Sequence, residues 1–390
     1  MRESRDKTVP SHEPRKRLSL HRKLLYLVVV CFGLLAVTEV GVRVMNRLRH
    51  GRWTVVDPGD TAANTRLYAG HTWLGQFPRP GAEVLSKGRH IKINSLGYRG
   101  REFSLAKPPG IVRIACIGGS TTFDVKVSDD TKTWPAQLEN RLREHAGLEH
   151  VQIVNAATNG YALPRTIIDL ALRTLDISPD WIVCYPGVND VGFANRVSHQ
   201  LGESHNALSR PMSSPSVWSK ILAASELHNE IVGRIRYAKQ VRHGNWEGVA
   251  IERQDQPDPR GMAAFERNLA TLAGICQAHN IRLALVTVRI AYSPEQPVEK
   301  QRRLAKGDLM DHPYLSLQGH YNGYATANRM IRETAEKFDL LLIDQAALLP
   351  PAEADFADSV HFNDAGAASL AELAAEVLTP RISQQDASEN

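Results

Sequence analysis

The sequence predicts an α/β fold of three layers, a five-stranded parallel sheet with helices on both faces, preceded by one N-terminal transmembrane helix. Three observations predict it. Across 390 residues, 43% hydrophobic and 23% charged residues suit a globular protein with a sizeable core. Between residues 111 and 380, short apolar runs alternate with helix-length segments, the pattern of parallel βα units. Near the N-terminus, one uncharged apolar run approaches the length of a membrane span.

The N-terminal apolar segment covers residues 24–42 and contains a single charged residue, Glu39. A basic tail precedes it at 1–23, so the positive-inside rule predicts a cytoplasmic N-terminus and the bulk of the chain outside the cytoplasm, which is the periplasm if the cell is Gram-negative. A cleaved signal peptide would need a small-residue cleavage site, which residues 36–38 (AVT) match poorly. A buried core helix is the other alternative, but it is favoured for shorter runs.

The charge distribution argues against nucleic-acid binding. The net charge is +5, but the first 52 residues hold 12 Lys/Arg against 4 Asp/Glu, so the remainder is slightly acidic. No phosphate-binding or dinucleotide-binding glycine motif is present, and neither the four cysteines nor the histidines have metal-ligand spacing. We therefore expect no cofactor and no metal, and the sequence makes no prediction of oligomeric state.

The elements follow in order after a lead-in at 43–110, whose Gly, Pro and polar residues predict extended chain with little helix. Apolar runs of five to eight residues predict strands, and apolar residues spaced three or four apart predict helices. The predicted strands are 111–117, 151–157, 181–185, 281–288 and 340–344. The predicted helices are 134–145, 164–175, 262–279, 321–338 and 365–378. Residues 111–380 form the predicted domain, and 381–390 a polar tail.

Residues 191–260 interrupt this alternation. They are polar and contain prolines, with helical spacing only around 218–232. Long irregular insertions in compact domains are often functional. We therefore interpret this segment as an insertion that covers the mouth of a functional site. Its aromatic residues either stack on sugar rings or form a small core of the insertion.

Four polar blocks follow predicted strands. They are residues 117–122 (IGGSTT), 155–161 (NAATNGY), 187–190 (GVND) and 358–361 (DSVH). Ligands bind at the carboxyl ends of strands in parallel sheets, so we expect these blocks to meet at one edge.

Together the blocks resemble those of the SGNH/GDSL hydrolase family, which supply a serine, a glycine, an asparagine and a histidine in this order. The resemblance covers residues 94–378, and residues 94–100 (NSLGYRG) look like a lead-in of some bacterial members. It implies a flavodoxin-like SGNH fold and a serine esterase. The family often has aspartate before the serine, where this chain has Gly119, as do members with a GGSTT block.

The residues in these blocks can carry out acyl transfer. A serine hydroxyl needs an adjacent base, and His361 can accept the proton of Ser120. Asp358, three residues earlier as in the family, can bond the other ring nitrogen and fix the tautomer. The backbone N–H groups of Ser120 and Gly160 and the side-chain amide of Asn189 can donate to an oxyanion.

Each residue also has a structural interpretation. Ser120 could cap a helix or line an anion-binding turn. Asn189 could cap a helix, although Asp190 is the better candidate if Asn189 is catalytic. Asp355 is the alternative partner for His361. Ser104 begins an S-x-x-K tetrapeptide, but the elements that accompany this motif are absent.

The sequence therefore predicts a serine esterase that hydrolyses an O-acyl ester through an acyl-serine intermediate, on a cell-envelope glycan or a small ester. One alternative is an O-acyltransferase that acts on an exported polysaccharide. A second alternative, of another class, is a non-catalytic glycan-binding module.

Overall fold

The computed structural model describes residues 19–50, 67–86, 88–195, 225, 227–228, 231, 253–349 and 352–389. Its first element is helix α1, Leu20–His50. Within it, Leu20–Met45 is long and apolar enough to cross a membrane, by length and composition alone. Its apolar side chains are exposed, which argues against a core helix; a signal sequence would have the same properties.

Five parallel strands form the central sheet and confirm the predicted fold class. They are β5 (Val112–Gly118), β6 (Val151–Asn155), β7 (Trp181–Tyr185), β8 (Arg282–Val286) and β9 (Leu341–Ile343). Their spatial order is β6-β5-β7-β8-β9, the flavodoxin-like order 2-1-3-4-5. Every residue of β5 and β7 is buried, including Cys116 and Cys184. Gly118 pairs with Tyr185, so both strands end at the same edge.

Helices cover both faces of this sheet. In the described residues they are α2 (Ser120–Phe123), α3 (Trp134–Asn140), α4 (Leu163–Asp169), α5 (Val188–Ala194), α6 (Pro259–Ala278), α7 (Val298–Leu304), α8 (Lys306–Asp311), α9 (Leu317–Lys337), α10 (Gln345–Leu348) and α11 (Asp364–Glu389). Helices α3 and α11 pack together in one layer, and α4, α5, α6 and α9 in the other. The five helices predicted from the sequence correspond to α3, α4, α6, α9 and α11.

The lead-in contains two antiparallel hairpins that local composition did not reveal. Strands β1 (Tyr68–His71) and β2 (Gly75–Pro78) form the first, and β3 (Glu83–Ser86) and β4 (Arg89–Lys92) form the second. Their apolar side chains form a cluster that also contains Phe123. Because Phe123 ends the helix that begins at Ser120, this cluster joins the hairpins to the edge where the polar blocks meet.

The last helix is longer than the sequence predicts. Helix α11 continues through the expected polar tail to Glu389. Four side chains at i, i+4 spacing, Leu370, Ala374, Leu378 and Ile382, are fully buried. The apolar stripe that drives helix packing therefore extends beyond the predicted end at residue 378.

Most of the predicted insertion at 191–260 lies outside the described residues. At its edges, α5 ends at Ala194 and α6 begins at Pro259, capped by the side chain of Asp258. Its interpretation as a cover of the site stays a prediction.

Candidate active site

The turn after β5 presents Ser120. Gly118 has a φ of 150°, a conformation that favours glycine, and a Cβ there would lie 2.7 Å from the carbonyl oxygen of Tyr185. Ser120 then opens the short helix α2, whose last turn closes through the Asp124 backbone N–H, which donates to the Ser120 carbonyl at 2.8 Å. The Ser120 side chain is thereby held at the carboxyl edge of the sheet and is 6% exposed.

The loop before α11 brings His361 and Asp358 to the same edge. His361 Nε2 lies 2.7 Å from Ser120 Oγ. Its Nδ1 lies 2.8 Å and 2.9 Å from the two carboxylate oxygens of Asp358. The Asp358 carboxylate also accepts the backbone N–H of His361 at 2.9 Å. Ser120, His361 and Asp358 thus form one continuous hydrogen-bonded chain, although Ser120 and His361 are 241 positions apart in the sequence.

Asp358 remains charged in this setting. Burial alone would raise the pKa of its carboxyl, but the hydrogen bonds and charge of His361 outweigh burial and hold the pKa well below its usual value. Lys126 adds to the effect, with its ammonium nitrogen 3.6 Å from Asp358 Oδ2. Sequence reasoning missed Lys126 because nothing in its local pattern distinguishes it from any surface lysine.

Gly160 and Asn189 lie beside the turn that presents Ser120. The Tyr161 N–H donates to the Thr158 carbonyl at 3.2 Å, closing a turn in which Gly160 has a φ of 80°. A third turn residue with positive φ favours glycine. Asn189 Nδ2 donates to the Tyr161 carbonyl at 2.8 Å, which leaves the second amide hydrogen for another acceptor.

The residue that caps the start of α5 with its side chain is Asp190 and not Asn189. Asp190 accepts the backbone N–H of Leu163 at 2.9 Å and that of Gly187 at 3.0 Å. Burial raises the pKa of Asp190 to about 6, against the opposing effect of these N–H donors. The Asp190 side chain thus serves the backbone, and Asn189 faces the loop of Tyr161.

The alternative partner of His361 is engaged elsewhere. Asp355 forms an ion pair with Arg289 at 2.8 Å. Asp364, on the other side of the histidine, accepts both the backbone N–H and the hydroxyl of Ser128. Among the described carboxylates near His361 in sequence, Asp358 is therefore the one whose oxygens contact the imidazole.

The block at 94–100 supports the short helix that begins at Ser120. Arg99 is buried and donates through Nη1 to the carbonyls of Phe123, at 2.5 Å, and Asp124, at 2.8 Å. Its Nε donates to Asp130 at 2.8 Å. The physical contribution of this block, which its resemblance to family members does not indicate, is to hold the carbonyls at the end of α2.

The glycine that replaces the common aspartate has a steric role. A Cβ on Gly119 would lie 2.7 Å from Asn189 Nδ2 and 2.8 Å from the Tyr161 carbonyl oxygen. Both distances are shorter than a carbon can normally approach. A side chain at this position would therefore displace Asn189 or the loop that holds it.

We expect Gly119→Ala to lower kcat for ester hydrolysis by about 10- to 100-fold, because it shifts Asn189 away from the serine. Steady-state kinetics with p-nitrophenyl acetate would measure it. The matched control is Gly274→Ala in α6, where a Cβ would meet no atom within 4 Å. The control should retain wild-type kcat. Wild-type kcat in a folded Gly119→Ala variant would contradict the steric role.

A serine, a histidine and an aspartate joined at the carboxyl edge of a parallel sheet define the serine hydrolase class. Residues 116–368 match the model of the GDSL-like lipase/acylhydrolase family. The match spans more than half of the chain, so the protein belongs to this family and is a hydrolase that acts on ester bonds. The resemblance found in the sequence is confirmed.

Solved structures of similar proteins include three hydrolases. A lipase/acylhydrolase from Enterococcus faecalis is 17% identical, with a TM-score of 0.41, over 70% of this chain and 97% of that one. A GDSL-like lipase from Bacteroides thetaiotaomicron is 11% identical, with a TM-score of 0.38, over 70% and 88%. The acetyl xylan esterase AlAXEase is 14% identical, with a TM-score of 0.38, over 67% and 98%. No curated protein matches the sequence.

Proposed function

We propose that the protein hydrolyses an O-acyl ester through an acyl-serine intermediate on Ser120. One observation carries the proposal: Ser120 Oγ lies 2.7 Å from His361 Nε2, whose other ring nitrogen is bonded to Asp358. A hydroxyl within reach of an oriented imidazole is the arrangement that activates a serine nucleophile. This geometry favours an enzyme over a non-catalytic glycan-binding module.

The reaction runs in two halves. Ser120 Oγ attacks the ester carbonyl carbon while His361 Nε2 takes the hydroxyl proton. The histidine then gives this proton to the oxygen of the leaving alcohol, and the acyl group stays on Ser120. Water attacks the acyl-enzyme, gives its proton to His361, and releases the acid as Ser120 regains its hydrogen. Asp358 keeps the imidazole in one tautomer and stabilises the imidazolium.

The oxyanion of each tetrahedral intermediate accepts hydrogen bonds from three donors. They are the backbone N–H groups of Ser120 and Gly160 and the Asn189 amide. Support comes from the contacts at this edge: Asn189 Nδ2 lies next to Gly119 and retains one hydrogen for the oxyanion, and the Gly160 turn is adjacent. Prepositioned donors of this kind usually contribute the largest single share of the rate enhancement.

Chemical labelling tests the nucleophile. The full-length protein in detergent is treated with a fluorophosphonate, digested, and analysed by mass spectrometry. We expect modification of the peptide that contains Ser120, and none in folded Ser120→Ala. A folded wild-type protein that takes no label, or takes it on another serine, would overturn the mechanism.

The site acts outside the cytoplasm in this proposal. Helix α1 anchors the chain, and the lysines and arginines of residues 1–23 keep the N-terminus in the cytoplasm. The candidate substrates in that compartment are O-acylated glycans of the cell envelope and small esters. Turnover of p-nitrophenyl acetate without added glycan would favour the esterase. Dependence on a glycan acceptor would favour an O-acyltransferase.

An exposed tryptophan on the first hairpin supports a glycan substrate. The Gln76 side chain donates to the Asn159 carbonyl at 3.1 Å, and the Tyr161 hydroxyl donates to the Gln76 carbonyl at 2.5 Å. These contacts attach the β1–β2 hairpin to the loop that contains Gly160. At the hairpin turn, Leu74 is fully buried and Trp73 is 68% exposed. Exposed indoles are suited to stacking on sugar rings.

We expect Trp73→Ala to raise KM for an acetylated xylooligosaccharide by about 5- to 10-fold, the loss of one stacking contact. Neither kcat nor KM for p-nitrophenyl acetate should change, because that ester has no sugar. The matched control is Leu85→Ala on the second hairpin, since Leu85 is also 68% exposed. Equal kinetics of wild type and Trp73→Ala on the sugar ester would remove this support for a glycan.

A further inference from the structure

Ser359 lies within the loop that carries Asp358 and His361, and it attaches this loop to the rest of the protein. Its side chain is buried, and its hydroxyl donates to Asp308 Oδ1 at 2.9 Å. Its carbonyl accepts the backbone N–H of Ala291 at 2.9 Å. Through these two contacts Ser359 links the loop to α8 and to the segment that follows β8.

Asp308 is a buried carboxylate that the proposed reaction does not use. It lies in α8 and accepts hydrogen bonds at both oxygens, from Ser359 Oγ and, at 2.7 Å, from the Tyr292 hydroxyl. A buried carboxylate is costly unless such donors compensate for lost water. Burial, and next the charge of Asp308, raise the pKa of Tyr292 well above its usual value, so the phenol remains a donor.

The packing around this pair is close. A Cβ on Gly307 would lie 2.8 Å from Ser359 Oγ, so the glycine allows α8 to approach the loop. Behind it, Tyr292 forms an apolar cluster with Ala305 and Leu309. The rings of Tyr292 and Tyr321 are 5.1 Å apart in an edge-to-face arrangement. Helix α8 and the segment after β8 thus contact the loop directly, and α7 packs beside α8.

We infer that Asp308 and Ser359 are positioning residues that hold His361 at the distance and angle at which it can take the proton of Ser120. The inference rests on the proposed function of that histidine. Neither side chain contacts Ser120, and both act through the backbone of the four-residue loop. Small displacements of a catalytic group lower the rate steeply, which gives the pair a measurable effect.

The first test is Ser359→Ala in the full-length protein, in detergent, with p-nitrophenyl acetate as substrate. We expect kcat to fall by about 10- to 100-fold with KM within about twofold, because the base is displaced and the substrate contacts are not. The rate of fluorophosphonate labelling at Ser120 should fall by a similar factor. Wild-type kcat in the folded variant would overturn the inference.

A matched control separates positioning from general stability. Tyr292→Phe removes the other hydrogen bond of Asp308 but leaves the Ser359 contact intact. We expect both variants to lower the melting temperature, and only Ser359→Ala to lower kcat by tenfold or more. If the two variants lose kcat in proportion to their loss of stability, the pair is structural and the inference is wrong.

A second variant covers the case in which Ser359→Ala does not fold. Gly307→Ala removes no polar group but forces Ser359 Oγ away from its present place, and we expect the same selective loss of kcat. The double variant Asp308→Asn/Ser359→Ala should lose little more than the worse single variant, since the residues act as a unit. Additive losses of kcat would mean that Asp308 and Ser359 act independently.

The outcomes also distinguish this inference from the proposed function. If Ser120→Ala retains wild-type turnover, the acyl-serine mechanism fails, whatever the result at Ser359. If turnover depends on Ser120 and His361 but Ser359→Ala and Gly307→Ala keep wild-type kcat, the mechanism stands and only the positioning role fails.

Discussion

Ser120→Ala is expected to lower kcat for ester hydrolysis by about 10⁶-fold, to a residual rate that comes from the oxyanion donors and substrate binding. Without the hydroxyl, no acyl-enzyme forms, and His361 has no proton to take. The fold should survive, because the hydrogen bond that Ser120 Oγ makes within the described part of the chain goes to the imidazole, and the turn is held by backbone contacts. Burst kinetics and the melting temperature would measure both effects.

The control for this variant is substitution of another serine, Ser104. Ser104 belongs to the S-x-x-K tetrapeptide that precedes β5, and its side chain is exposed. Ser104→Ala should therefore keep wild-type kcat. A folded Ser120→Ala variant with more than about one-hundredth of wild-type kcat would mean that another group, or water activated directly, attacks the ester.

Much of the fold could be predicted from local pattern. The sequence predicts the strand Trp181–Tyr185 with its observed bounds, because a fully buried central strand is apolar throughout and Asp180 and Pro186 flank this run. The hairpins of the lead-in are harder to predict, since they contain four-residue strands with one buried face. Their stability comes from packing against Phe123, a contact between distant positions that no local pattern contains.

In the candidate site, too, some residues could be predicted from the sequence and others could not. The polar blocks stand at strand ends, so parallel topology alone brings their residues to one edge. The supporting residues have no such signal. Lys126 reaches Asp358 from a loop, and Asp308 reaches Ser359 from a helix 51 positions away. Both contacts depend on how elements pack after the sheet has formed, and an aspartate in a short polar helix resembles any surface residue.

Gly119 is a residue whose role the sequence alone does not explain. Members with a GGSTT block share this glycine, but the resemblance gives no physical reason for it. The structure gives it a positive reason, since a Cβ there would collide with Asn189 Nδ2 and the Tyr161 carbonyl. A side chain at residue 119 therefore requires the loop that contains Tyr161, and with it Asn189, to shift from the positions they have here.

Asp358→Asn is expected to lower kcat by about 10⁴-fold while the fold remains intact. An asparagine can turn its amide N–H toward His361 Nδ1, which moves the ring proton to Nε2, where it faces Ser120 and cannot accept another. In the wild type, the pKa of Asp358 is held well below its usual value, so the carboxylate stays charged at neutral and mildly acidic pH. Its contribution to stability is lost only as the pH falls through that lowered pKa.

Asp355→Asn is the matched control, because Asp355 is the other aspartate that the sequence offered to His361. In the structure it pairs with Arg289, so its substitution should affect stability and leave kcat within a few-fold of wild type. The pH–rate profile adds a second measurement. Asp355→Asn should keep the wild-type profile, whereas the residual activity of Asp358→Asn should rise with pH as hydroxide replaces the disabled base. A larger loss of kcat in Asp355→Asn than in Asp358→Asn would assign the aspartate of the triad to residue 355.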